Sequence, residues 1–215
     1  MKEKDGIKSY KQEIAGSSLL AFRGEAVVQA PLARVASVLF DAHRAKEWMD
    51  DLNETVIVKW FSEVEFLEYD HMAAPVLIQD RDFVSRVTML FDQRKSEMSF
   101  VLRTALAKDI PAEYLTSKYV RGDLDGSKYT LSPTADGRAT LVIGEVHADP
   151  KGALPKWLVN FFQKDWPVDT LVNLRKQCAK ENISNDPKIM TLVKTYLNLT
   201  PASLGEVALN SSDTK

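Results

Sequence analysis

The sequence predicts an α+β fold in which a curved antiparallel β-sheet wraps around a long C-terminal α-helix. Three observations predict it. Extended, alternating segments follow one another through the middle of the chain without helical crossovers between them, so their sheet is antiparallel. A long antiparallel sheet curls under its own twist and needs a cover on one face. Only the segment 154–176, LPKWLVNFFQKDWPVDTLVNLRK, is apolar enough to provide it. On a helical wheel Leu154, Trp157, Leu158, Val159, Phe161, Phe162 and Trp166 spread beyond the ~100° stripe of an ordinary core-facing helix. A helix gripped from several sides needs so wide an apolar arc. The gap between sheet and helix is then either filled by side chains or left as a cavity.

Each element follows from its own pattern. Ile7–Ile14 alternates weakly and predicts an edge strand, and Leu19–Gln29 predicts a longer one. Pro31 opens a helix whose apolar positions are Leu32, Val35, Val38 and Leu39, because proline suits a first helical position. A short second helix carries Arg44, Glu47 and Trp48. Strands are expected at Thr55–Phe61, Glu63–Met72, Arg81–Phe91, Met98–Leu106, Lys118–Ser132 and Ala139–Ala148. Asp136-Gly137 predicts the hairpin turn between the last two. Residues 107–116, AKDIPAEYLT, have no clear period and are expected to form a long loop. Pro167 lacks an N–H and clashes one turn back, which predicts a kinked or loosened helix there. Residues 1–180 are expected to form the domain and 181–215 an extension. Within that extension an Asn185 or Asp186 cap and Pro187 open an amphipathic helix near 186–199, with Ile189, Leu192, Val193 and Tyr196 on one face. The residues after Pro201 are expected to be disordered.

Composition narrows the function. Of 215 residues, 45% are hydrophobic and 27% charged, and 28 basic against 30 acidic residues leave a net charge of -2. That balance provides no basic field for nucleic acid. The lone Cys178 excludes an internal disulfide and fits a reducing, cytoplasmic setting. The first residues, MKEKDGIKSYKQEI, lack the apolar run of a signal peptide, and no stretch approaches the ~18 apolar residues of a membrane span. The N-x-S/T triplets at Asn53, Asn198 and Asn210 are taken as chance, and no internal repeat is visible. His43, His71 and His147 show no metal spacing, and His43 with Glu47 lacks a third ligand. No nucleotide-binding or hydrolase motif occurs, so neither a metal nor another cofactor is expected.

Five motifs keep one family's order and spacing: LLAFRGE (19–25), WM (48–49), RDFV (81–84), DPKGALPKWLVN (149–160) and TLVNLRK (170–176). Together they resemble the START family, the StAR-related lipid-transfer domains, over roughly residues 17–178. The resemblance implies the helix-grip fold, with a tunnel for one lipid or sterol-like molecule, transient membrane contact and a monomer. Several members carry an acid on one cavity strand and an arginine on its neighbour. The acid position falls on Glu68 and the arginine position on Val87, while strand alternation turns the adjacent Arg86 to the opposite face. Arg81, on Val87's face, is the nearest substitute cation.

Candidate ligand-binding residues follow. Glu68 and Arg81 either grip a ligand's polar group or form a structural salt bridge at the sheet edge. Phe83 and Ser85 share Arg81's face. Trp157, Leu158, Phe161 and Phe162 either line a tunnel or form core. Asp165 either faces the cavity or turns to solvent beyond the Pro167 kink. The 107–116 loop, with the loosened last helix, is expected to act as a lid. The expected function is to bind one lipid or other hydrophobic molecule and to transfer, store or sense it without catalysis. The alternative is an enzyme, cyclase-like or hydrolase-like, using Glu68 or Asp165 on an apolar substrate.

Overall fold

The structure, a computed structural model, describes residues 2–14, 19–75, 77–116 and 118–206. Strands form where polar and apolar residues alternate. They are β1 (Lys2–Lys4), β2 (Ile7–Glu13) and β3 (Leu20–Val28), then β4 (Leu52–Ser62) to β7 (Glu97–Thr104) by way of β5 (Glu65–Met72) and β6 (Arg81–Asp92). The short β8 (Val120–Arg121), β9 (Ser127–Pro133) and β10 (Thr140–Val146) complete the set. Helix α1 (Leu32–Phe40) and a 3-10 turn at Ala45–Glu47 separate β3 from β4. After β10 come α2 (Lys156–Gln163), α3 (Trp166–Cys178), α4 (Pro187–Tyr196) and α5 (Pro201–Leu204).

All the described strands join one sheet in the order β1-β2-β3-β10-β9-β7-β6-β5-β4. Every pairing is antiparallel except the short parallel one between β8 and β6. Chain order and sheet order part company after β3: α1 carries the chain away, β4 starts at the far edge, and β10 returns to pair β3. Three register shifts along β4 against β5 bend that edge, since bulges sharpen the local twist of a strand. The Asp136-Gly137 turn forms as expected, with Gly137 at φ 72 and its N–H donating to the Thr134 carbonyl.

Five sequence expectations need correction. The edge strand is β1, because the first residues fold back on Ile7–Glu13. Lys118–Ser132 is not one strand: Val120–Arg121 pairs with β6, and the strand beside β7 begins only at Ser127. The 107–116 loop is no lid. It carries 3-10 turns at Ala107–Asp109 and Ala112–Tyr114, and Ile110 and Tyr114 pack against Leu67, Tyr69 and Val84 on the sheet's outer face. The long last helix is two helices, with Pro167 inside the first turn of α3, where its missing N–H breaks no helical bond. Residues 202–204, in the stretch expected to be disordered, belong to the short α5 (Pro201–Leu204). Residues 207–215 lie outside the described residues.

Helix α3 lies across the inner face close to β3, where a glycine makes room. A Cβ at Gly24 would stand 2.8 Å from both Leu171 Cδ1 and Pro167 Cβ, so any larger residue would push helix from sheet. Leu171, Leu174 and Cys178 of α3 join Val28, Met98, Leu131 and Val142 of the sheet in the main core. The segment after 180 belongs to the same cluster: Ile183, Ile189, Leu192, Val193 and Leu197 pack with α1. Asp186 caps α4 by accepting the N–H groups of Lys188 (2.8 Å) and Ile189 (3.0 Å), and its own N–H donates to Ser37 Oγ of α1 (2.8 Å).

Candidate functional site

The sheet, α1 and the last helices do not close completely. A cavity of about 380 Å³ remains between them, within the size range of small-molecule sites. Its walls are mostly apolar: Phe66, Val87, Phe100 and Leu102 from the strands, Leu39 from α1 and Trp166 from α3. The segment 73–78 contributes Pro75 and Ile78, and the chain around α2 contributes Leu154 and Val159.

Strand alternation decides which polar groups enter. On β5, Leu67, Tyr69 and His71 face outward, where Tyr69 packs on Tyr114 and His71 stacks on Tyr119 with Asp80 at 2.8 Å. Phe66, Glu68, Asp70 and Met72 therefore face inward, and all four line the cavity. Glu68 stands opposite Ser85 of β6 and Ile57 of β4. Asp70 stands opposite Phe83 and Thr55, and the Thr55 hydroxyl donates to it. Among the described residues no Lys, Arg or His forms an ion pair with either carboxyl. Removal from water raises both acids. Asp70 goes up to about 6, and Glu68 rises well above the carboxylate range, with the Asp70 charge adding to the effect. Other polar atoms nearby are orphaned. The Tyr129 hydroxyl and the Trp48 indole N–H, both of cavity-lining residues, and the Ser85 hydroxyl are buried without a hydrogen-bond partner among the described residues. Burial, Glu68 and Asp70, in that order, also hold the Tyr129 hydroxyl above its ordinary pKa.

Arg81 lines the cavity and is 7% exposed, yet its guanidinium faces main-chain carbonyls: Pro150 (3.1 Å), Lys151 (3.3 Å) and Gln79. Desolvation lowers its pKa, and Asp80 opposes that shift. It clamps the 150–151 turn to β6, and no ion pair joins it to Glu68 among the described residues. Arg86 faces outward, with its guanidinium on Glu65 at 2.7 Å. Val87 lines the cavity where the family pattern carries an arginine.

The remaining expected site residues are distributed unevenly. Phe83 lines the cavity and presses on Gly122. Ser85 is fully buried behind the lining, opposite Glu68. Leu158 is half-buried outside the lining; its neighbour Val159, about 100° further round the helix, takes the inward position. Asp165 is a correction as a cavity group. It sits at the break between α2 and α3 with its side chain 65% exposed, 3.8 Å from Lys164 Nζ. The side chains of Trp157, Phe161 and Phe162 lie outside the described residues. Sequence reasoning missed Asp70, Tyr129 and Trp48. Asp70 had a usable signal, two residues from Glu68 in one alternating strand.

A curved antiparallel sheet closed by C-terminal helices over a lined cavity defines the helix-grip class. The START domain family model matches residues 1–182, and the chain belongs to that family. It is 28% identical over 181 residues to an uncharacterized protein of Pseudomonas aeruginosa, covering 83% of this chain and 85% of that one. The structure is similar to a STAR-related lipid transfer protein from Xanthomonas axonopodis, with 28% identity, 84% of this chain and 97% of that one covered, and a TM-score of 0.72. Human STARD10 has the same fold, with a TM-score of 0.74 at 18% identity over 84% of this chain and 72% of that one.

Proposed function

We propose that this protein binds one lipid or other hydrophobic molecule in the cavity under its sheet, and transfers, stores or senses it without changing it chemically. The observation that carries this reading is the cavity of about 380 Å³ with a mostly apolar lining. An apolar guest gains ~25 cal/mol per Å² of apolar surface withdrawn from water. The space equals about a dozen waters by liquid volume, which suits one acyl chain or one fused-ring skeleton better than a two-chain phospholipid. Family membership and the likeness to the Xanthomonas lipid transfer protein support the same reading. No helix among the described residues is long and apolar enough to cross a membrane; in this reading a monomer loads its guest by transient contact with a membrane surface.

Phe83, Val87, Phe100 and Val159 would grip the apolar body, with Glu68, Asp70 and Tyr129 at its polar end. Arg81 would hold the wall rather than the guest. Solvent extraction of freshly purified protein, followed by mass spectrometry, is expected to yield one apolar molecule per chain. Protein that carries no such molecule, and into which no environment-sensitive apolar dye can be titrated at one per chain, would refute the proposal.

A further inference from the structure

Resting on that reading, the inner face of β5 says which class of hydrophobic molecule is held. Glu68 and Asp70 project into one apolar cavity from positions about 7 Å apart along the strand. Acids withdrawn from water are normally paired, yet this half-buried, cavity-facing pair has no cation among the described residues. Two orphaned hydroxyls are near the same acids: Ser85 stands opposite Glu68 in register, and the charges of both carboxyls reach the Tyr129 hydroxyl. A primary ammonium brings three N–H donors and one positive charge. Two carboxyls and a neighbouring hydroxyl provide three acceptors.

We propose that Glu68 and Asp70, with Tyr129 and Ser85 beside them, form a subsite for the protonated amine of an apolar guest, so that the preferred ligand is a cationic single-chain or fused-ring amphiphile.

The groups around the pair agree. Thr55 of β4 already donates to Asp70 and leaves its charge in place. Arg81 of β6 is held by three carbonyls and contributes to neither carboxyl's shift. Glu145 of β10, also in the lining, is matched by Arg23 (3.5 Å) and Lys128 (3.1 Å). Asp51, before β4, adds a further acid and no cation. Burial raises both acids, and the Asp70 charge raises Glu68 further; an ammonium between them would favour their ionised forms.

The test compares dodecylamine, 1-dodecanol and dodecanoic acid by calorimetric titration of the full chain, each below its own aggregation threshold. At about pH 8 the amine is expected to bind about tenfold or more tighter than the alcohol, the size of one charge-assisted hydrogen bond, and the acid weakest. At about pH 5, below the raised Asp70, the amine is still protonated while the acids take up protons, and the preference should shrink about tenfold. Glu68→Gln with Asp70→Asn should erase the preference at both pH values, and a cooperative thermal melt reports that the variant is folded. Equal binding of amine and alcohol, a preference indifferent to pH, or one that survives the double substitution each overturns the subsite. If the alcohol binds and only the preference is missing, the hydrophobic-ligand reading stands without it. If none of the three binds the wild-type chain, that reading falls too.

Discussion

Asp82 and Asp70 sit on adjacent strands of one sheet, on opposite faces, and are resolved in opposite ways. Asp82, fully buried on the outer face of β6, receives two hydrogen bonds from the Arg121 guanidinium at 2.9 and 2.8 Å. Arg121 also donates to the Tyr114 carbonyl at 2.6 Å, which ties β8 and the 107–116 loop to the sheet. Asp70, on the inner face of β5, has a hydroxyl for a partner and a second acid for a neighbour. A buried acid given its own arginine is structure. A half-buried acid pair facing a cavity, without a cation among the described residues, keeps its charge available to something that enters.

The largest effect that can break this contrast lies at the paired site. Arg121→Ala would leave Asp82 charged, buried and alone. Removal of one partner from a buried pair costs about 3–5 kcal/mol; Arg121's own 27% side-chain exposure puts the expected loss at the lower end. Denaturant unfolding should show it as a lower midpoint at unchanged slope. A loss under about 0.5 kcal/mol would mean that Asp82 tolerates isolation, and the difference between the two acids would disappear.

The unpaired site should respond with the opposite sign. Between its ordinary 3.8 and about 6, folded Asp70 keeps a proton that the unfolded chain has already released. Stability therefore falls as pH rises through that interval, and it is restored as pH drops below the unfolded value. Glu68 acts in the same direction and extends the fall to higher pH. Glu68→Gln with Asp70→Asn removes both charges, and the variant is expected to be more stable than wild type by about 1–3 kcal/mol near pH 8 and equal to it near pH 4. Thermal melts across that range check it. A destabilised variant at neutral pH would place a hidden cation beside the pair and end the comparison.

Much of this could be read in the sequence, and the parts that could not have physical reasons. EFLEYDHM and RDFVSRVTMLFD can be read as strands, but both of their faces are covered, so hydropathy does not say which one faces the cavity. Glu68 is a candidate because the family's acid position falls on it; Asp70 shares its face two residues on and has no such counterpart. The break of Lys118–Ser132 was out of reach, since it depends on Arg121 finding Asp82, 39 residues earlier. Pro167 announced a break, but whether it kinks one helix or starts another depends on where the preceding helix stops, which propensity alone does not fix. Periodicity could not say whether the gap under the sheet was filled, because a volume of about a dozen waters depends on the rotamers of many side chains at once.

Asp165 sharpens the contrast from the third side, as an acid with neither an arginine nor a cavity. It stands before α3 in a helical conformation, makes no capping hydrogen bond with its side chain, and is mostly exposed 3.8 Å from Lys164. Water already solvates its charge, so the exposed pair adds little. Asp165→Asn is expected to change stability by less than about 0.5 kcal/mol at any pH between about 4 and 8, and to leave both amine and alcohol affinities at wild-type values. Calorimetry on this variant beside Glu68→Gln with Asp70→Asn separates two explanations that overall charge would otherwise confuse. If loss of any acid near the last helices weakens amine binding, the protein attracts cations by its general field, and the Asp165 variant should show about half the effect of the double one. If the carboxyls act by standing inside a low-dielectric cavity, where a charge is worth far more than at the surface, the Asp165 variant should be indistinguishable from wild type.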